Sequence, residues 1–387
     1  MKKLKRIIFT ILIISSISFI NAEVFINGKY GLGLEKNNTD NTGIGANATL
    51  SSQIQFENNL LVETEATLTV PDLFKDIFVL KSQAFISIDK LNASYNFSNL
   101  KFPTRVSIFI GNQEFMGDDK IFQKYFGTKE TYSPFLEQDF GLKPSYMMPI
   151  TGYGFEVGTL FTPQFVNSYY LYLNEKDDKI NFNLDTRFTG TTDTVMGDFL
   201  IGFSSPFDKF DYSLEDGVTL PLNKIDMHIL TSLLFGDNSN ENFYTQIGFT
   251  SIKLKPDAAE KKIEANNIHI YIEPRFAYNN TKFNFSFFLL SKDVTEKLAF
   301  ARYPFGGAFF ISKTKNISNI NAEFGGHISI TSNLFDKTRK QKLSVILAPV
   351  AKITSGNSCI NVSLPISFLE EDKSKTLNFS ISYTANF

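Results

Sequence analysis

Three histidines, one cysteine and a scatter of carboxylates are the residues of this 387-residue chain that could do chemistry. His228, His269 and His327 could hold a metal if the fold brought them to one height, but no HExxH or other paired spacing occurs. Polar wall residues are the commoner fate of such histidines. Glu63 and Glu65 point the same way on an alternating segment and form a candidate carboxylate pair. Glycoside hydrolysis would need a substrate cleft between two such groups, and a spacing of this kind is too common to indicate one. Gly152-x-Gly154 is not a nucleotide loop, because no helix follows it. Cys359 is the lone cysteine, so an internal disulfide framework is excluded. Neither enzymatic activity nor a cofactor or metal is expected.

The composition narrows the class further. Charged residues make up 20% and aromatics 14%, with Phe 41 and Trp 0, which is too aromatic for low-complexity disorder. A formal net charge of −2 argues against a nucleic-acid partner. Past the N-terminus no stretch reaches about 18 consecutive apolar residues, so helical membrane spans are not expected. Lys2, Lys3, Lys5 and Arg6 precede the apolar run Ile7–Ile20, and Ala22 offers a small residue for cleavage. The run is short for a hydrocarbon core about 30 Å thick, so residues 1–22 read as a cleavable secretory signal peptide. Its removal leaves 38 − 4 = 34 Lys+Arg against 40 Asp+Glu.

The elements that must position everything else repeat with a period of two. Phe387, Ala385, Tyr383, Ile381, Phe379 and Leu377 alternate with Asn386, Thr384, Ser382, Ser380 and Asn378. Ile180, Phe182, Leu184, Thr186 and Phe188 alternate with Asn181, Asn183, Asp185 and Arg187. Rows through Phe283–Leu289, Ile268–Tyr278, Leu343–Pro349 and Ile360–Phe368 behave alike. A strand with one apolar and one polar face separates two solvents. Most of these segments are longer than the strands of soluble sheets and long enough to cross a bilayer at a tilt.

Eighteen such segments can be placed between 24–34 and 375–387, and sixteen is nearly as good a count. The even-numbered gaps, such as 57–58, 162–164 and 279–280, hold two to six residues. The odd-numbered gaps are mostly longer, up to 112–150, although 174–178 and 369–374 are short. Alternation slips register in 71–103 and 291–313. Pro274, Pro349 and Pro365 are expected near rims or bulges, because proline cannot donate to a ladder.

Short turns alternating with long loops, an even strand count and a last strand ending in Phe387 together resemble bacterial outer-membrane β-barrels, porins among them. The resemblance is strong at the C-terminus and general over the rest. It implies an all-β, transmembrane, antiparallel up-and-down β-barrel of about 16–18 strands over residues 23–387, set in the outer membrane of a diderm bacterium. It also implies contact with outer-membrane lipids, and an assembly signal at Tyr383 and Phe387 read by the barrel-assembly machinery. With no Trp, Tyr and Phe would have to supply the interfacial girdles.

A barrel of this size leaves an aqueous lumen. The inward phase then carries Lys29, Gln53, Gln55, Glu63, Glu65, Arg105, Glu156, Asp185, Arg187, Asp226, His228, His269, Glu273, Arg275, Glu323 and His327 as candidate pore-lining residues. Their free charges would set ion preference, so Arg187→Glu or Arg275→Glu is expected to leave folding intact. The gap 112–150 resembles the third loop of general porins in position, and Glu114, Asp118, Asp119, Lys120 and Lys124 are its constriction candidates. Its aromatic content argues for a packed structure, either folded inward or forming an external cap. The expected function is a porin-like channel for passive diffusion of small hydrophilic solutes. The alternatives are a surface-exposed adhesin or binding protein on a barrel scaffold, or a facilitator of hydrophobic substrate uptake; the latter has no room for an N-terminal plug before Val24.

Overall fold

A computed structural model describes residues 24–36, 43–56, 59–73, 84–117, 120–126, 148–176, 179–206, 224–236, 241–256, 261–291, 301–333, 343–369 and 376–387. The expected signal segment, residues 1–22, therefore lies outside the described residues. The strands are β1 (Val24–Lys36), β2 (Ile44–Phe56), β3 (Leu60–Val70), β4 (Phe85–Phe97), β5 (Thr104–Met116), β6 (Met148–Thr162), β7 (Phe165–Lys176), β8 (Lys179–Thr191), β9 (Val195–Pro206) and β10 (Asp226–Phe235). They continue as β11 (Glu241–Lys253), β12 (Ile268–Tyr278), β13 (Thr281–Leu289), β14 (Phe305–Ile317), β15 (Ile320–Ser332), β16 (Leu343–Ser355), β17 (Ser358–Ser363), β18 (Ile366–Phe368) and β19 (Ser380–Asn386). One helix, α1 (Lys120–Phe126), follows β5.

Each strand through β16 pairs antiparallel with its neighbours in sequence, β17 and β18 both pair with β16, β17 pairs with β19, and β19 returns to pair with β1. The sheet is therefore closed. Gly28 N–H donates to Phe387 O (3.1 Å) and Phe387 N–H donates to Gly28 O (2.9 Å), which seals the seam. The Phe387 ring lies over Gly28, where any Cβ would make the ring shift. The 19 strands make 18 staves, because β17 and β18 both lie along β16 and are two parts of one stave.

Proline explains that division. Val350 pairs with Ser363 and Leu347 pairs with Ile366, but the ladder between them is open at Ala348–Pro349 and Leu364–Pro365. A single bond, Leu364 N–H to Pro349 O (3.0 Å), crosses the gap. Pro274 likewise interrupts the ladder between Ile272–Phe287 and Arg275–Asn284. The prolines thus sit within staves at ladder gaps that keep register, where the sequence suggested rims or bulges.

The register slip in 71–103 also has a cause. Glu65 pairs with Lys90 while Ala66 pairs with Ile88, so Asp89 is an extra residue, a β-bulge. Outward residues change there from Ile86 and Ile88 to Leu91, Ala93 and Tyr95. Gly111 accommodates the bulge at φ 86, with Asp89 O only 2.2 Å from where a Cβ would stand.

The outer face is apolar. Ile86, Ile108, Tyr153, Phe155, Phe287 and Phe324 are all exposed on it. Near the short-turn end, Phe102, Phe161, Phe165, Phe188 and Phe199 form a chain of ring contacts at 5.3–6.3 Å. This is a girdle built without tryptophan. A closed ladder with an apolar exterior is a membrane-spanning barrel, because hydrocarbon offers no partner for an unpaired edge.

The outward phase makes a direct prediction. Phe285 packs against Phe309 on that face, ring centroids 4.7 Å apart and tilted. Phe285→Arg is expected to destabilise the barrel by about 2–4 kcal/mol if the site lies near mid-depth. Urea unfolding in phospholipid vesicles would show this as a lowered midpoint, with Gln53→Arg on the inner face unchanged. A lowered midpoint in Gln53→Arg with Phe285→Arg unchanged would mean that the two faces are reversed.

Candidate functional site

The barrel interior is organised around Glu114. It follows a bulge in β5, where Asn112 pairs with Thr151 and Glu114 with Ile150, leaving Gln113 extra. The bulge turns both Gln113 and Glu114 into the buried interior. Glu114 was expected in the loop 112–150; it belongs instead to a strand that continues to Met116, where it pairs with Met148. The alternation that would have revealed this is broken by the bulge itself.

Arg187 Nη1 donates to Glu114 Oε2 at 2.6 Å, and the Tyr170 hydroxyl donates to the same oxygen at 2.7 Å. The Tyr125 hydroxyl, from α1, donates to Glu114 Oε1 at 3.3 Å. Arg187 also grips Asp198 with two parallel bonds, Nε to Oδ1 (2.8 Å) and Nη2 to Oδ2 (2.7 Å). Arg105 pairs with Glu156, which also accepts from Gln113 Nε2 at 2.5 Å. Two guanidiniums and three carboxylates are thus locked together on β5, β6, β8 and β9. Buried charges of this kind are tolerable only when each is paired and hydrogen-bonded.

The chain after β5 crosses the interior. Gly117, at φ 87, offers its carbonyl to the Tyr244 hydroxyl (3.1 Å) and to Gln246 Nε2, both on β11. Strands β5 and β11 are not neighbours, so this contact passes through the barrel. Phe122 of α1 is 0% exposed in a cluster with Phe109, Leu200, Leu230, Tyr244, Tyr271, Phe288 and Phe310. The start of the long loop therefore fills one side of the bore. Asp118, Asp119 and residues 127–147 lie outside the described residues; Lys120 and Lys124 fall on α1.

The expected lining residues separate into two groups. On the filled side Glu156, Asp185, Arg187, His269, Glu273 and Arg275 are at most 1% exposed, and Glu323 and His327 are also buried. Arg275 Nη2 donates to Glu273 Oε2 (2.9 Å) and its guanidinium lies 4.8 Å from the Tyr244 ring centroid. His269 Nε2 is 3.0 Å from Gln246 Oε1. His228 Nε2 meets Asp185 Oδ1 at 3.0 Å, and Tyr172 donates to Asp185 Oδ2 at 2.9 Å. Gly202 lies between them, where any Cβ would collide with both. Glu323 accepts from Ser312 (2.5 Å) and lies 3.4 Å from Lys282 Nζ.

On the other side the inner row stays wet. Lys29, Asn47, Gln53 and Gln55 are exposed, and Thr49, Ser51, Glu63, Glu65, Ser382, Thr384 and Cys359 are half-buried. Glu63 pairs with Lys90 at 2.8 Å and accepts from Gln53 (2.9 Å) and Asn92 (3.0 Å). Away from this wet row, Arg105 in the packed network and Asp226 on β10 are half-buried, and Asp226 accepts from Ser251 at 3.2 Å.

The histidines lie on three different strands, β10, β12 and β15, and no group able to hold a metal occurs among the described residues. Arg187 and Arg275 are not free wall charges. Reversing either would strand a carboxylate against carboxylates in the interior, so the expectation that such variants fold normally does not hold. Asp198, Tyr170, Gln113, Gln246 and Lys90 were missed. Asp198 is the legible one, since it lies on the inward phase of its strand beside Met196 and Leu200.

No family model matches the chain, and no curated protein does. Solved barrels are similar to it at low identity. OpdL of Pseudomonas aeruginosa has 9% identity and a TM-score of 0.49, covering 95% of this chain and 98% of its own. A substituted form of the Rh. blastica porin has 8% identity and a TM-score of 0.47, covering 94% and 100%. OmpT, an outer membrane protein of Vibrio cholerae, has 7% identity and a TM-score of 0.40, covering 95% and 98%.

Glu114→Ala tests the hub. It leaves Arg187 and Tyr170 short of a buried partner, and is expected to destabilise by about 3–5 kcal/mol. Gln55→Ala, on the wet row, is expected to change stability by less than about 0.5 kcal/mol. Urea unfolding midpoints measure both.

Proposed function

We propose that this protein is a porin-like channel of the outer membrane of a diderm bacterium, passing small hydrophilic solutes by passive diffusion. One observation carries the reading. The inner row along β1–β3 is open to water, while the opposite side is packed by α1 and a buried ion network. The solute path is then a crescent against β1–β3 and β19, with Cys359 at its edge, not the full bore. Lys29, Gln53, Glu63 and Glu65 are its lining, and the barrel-assembly machinery reads the Tyr383–Phe387 strand.

Cys359 supplies a native probe of this path. It faces the same way as Thr384 and Asn361 on the inner side, near the short-turn end. Purified protein in a planar bilayer should give discrete conductance steps, and a charged methanethiosulfonate reagent should lower their size. Cys359→Ser should keep the steps and lose the response. A membrane that stays sealed at every protein concentration would overturn the channel reading.

A further inference from the structure

The outer wall carries one arrangement that the channel does not use. In the short-turn halves of the described strands, the outward rows bear charge at Glu241, the first residue of β11, and at Lys313 and Lys315 on β14. The two lysines are exposed and alternate with inward Ser312 and Thr314, continuing the outward row of Phe309 and Ile311. No carboxylate stands on the outward rows of β13 or β15 beside them.

The register gives these lysines neighbours. Tyr278 pairs with Thr281, Thr281 with Lys313, and Lys313 with Phe324, one lateral row across four strands. Tyr278 is 73% exposed, so its hydroxyl is free to reach outward. The next row toward mid-membrane is Phe276, Phe283 and Ile311, wholly apolar. Thr281 is the first residue of β13, so β14 runs on past the Asn279–Asn280 turn and carries Lys315 beyond it. The result is a ledge with two cations and two hydroxyls directly below an apolar wall.

We infer that this ledge binds an anionic phospholipid of the leaflet at the short-turn end. The phosphate would sit between Lys313, Lys315, Tyr278 and Thr281, and the acyl chains would lie along Phe283 and Ile311. An ammonium on the lipid face is costly in hydrocarbon and favourable beside an anionic headgroup. The polar row set against the apolar row matches the headgroup–acyl boundary, and the positive charge selects an anionic lipid over a zwitterionic one. The inference rests on the barrel spanning a membrane, but not on its conducting.

Native mass spectrometry of the full-length protein in detergent, with added phosphatidylglycerol or phosphatidylcholine, reads the outcome. The wild type should retain phosphatidylglycerol preferentially. Lys313→Gln/Lys315→Gln should lose that retention by about fivefold per lysine, the factor equivalent to about 1 kcal/mol for each basic residue near an anionic surface. Tyr278→Phe should weaken it less, and Lys101→Gln, in a distant turn, should leave it unchanged. Equal retention of both lipids, or undiminished retention in the double variant, would overturn the site. So would displacement of the lipid by inorganic phosphate, which would mark a free-anion site. Planar-bilayer conductance of the double variant should match the wild type, which separates failure of this site from failure of the channel.

Discussion

Every peptide group in hydrocarbon must find a partner within the protein, and a sheet can meet that demand only by closing on itself. The rest of the structure depends on this. It explains why β19 returns to β1, why Gly28 yields its side-chain volume to the Phe387 ring, and why three prolines are tolerated only at ladder gaps. It also fixes which solvent each residue meets. Once the ladder closes, alternation along a strand becomes alternation between lipid and interior.

The interior obeys a different rule. An 18-stave bore is too wide to be filled by wall side chains alone, so its filled side needs an added element. The chain after β5 supplies it, with Phe122 packed against the wall and Gly117 tied to Tyr244 and Gln246. The Glu114–Arg187–Asp198 network holds the base of that element. A buried network of this size is weak evidence for stability. What it does here is fix one geometry, because each carboxylate is matched to particular donors. The remaining crescent keeps its water and its less constrained charges.

Fold class and strand count were legible because period-two alternation survives over most staves. Ile180–Phe188 and Phe283–Leu289 lie on the outer face as their spacing demands. The failures have local physical causes. Asp89 and Gln113 are bulges, each adding a residue that alternation cannot count, and the second hid the end of β5 and the place of Glu114. The inward phase of Glu156, Asp185, Arg187, Glu273 and Arg275 was readable; their burial was not. An inward residue meets water or protein according to what lies across the bore, and that depends on a contact between β5 and β11 separated by more than a hundred residues.

The central claim is that one side of the bore is wet and the other is packed. Cysteine accessibility tests it most directly, in a Cys359→Ser background, with a membrane-impermeant thiol reagent applied to Gln53→Cys on β2 and Ser286→Cys on β13. Both positions face inward, but Gln53 is exposed and Ser286 is buried. Rapid labelling at 53 with protection at 286 is the predicted result. Equal labelling at the two positions, or protection at 53, would contradict it.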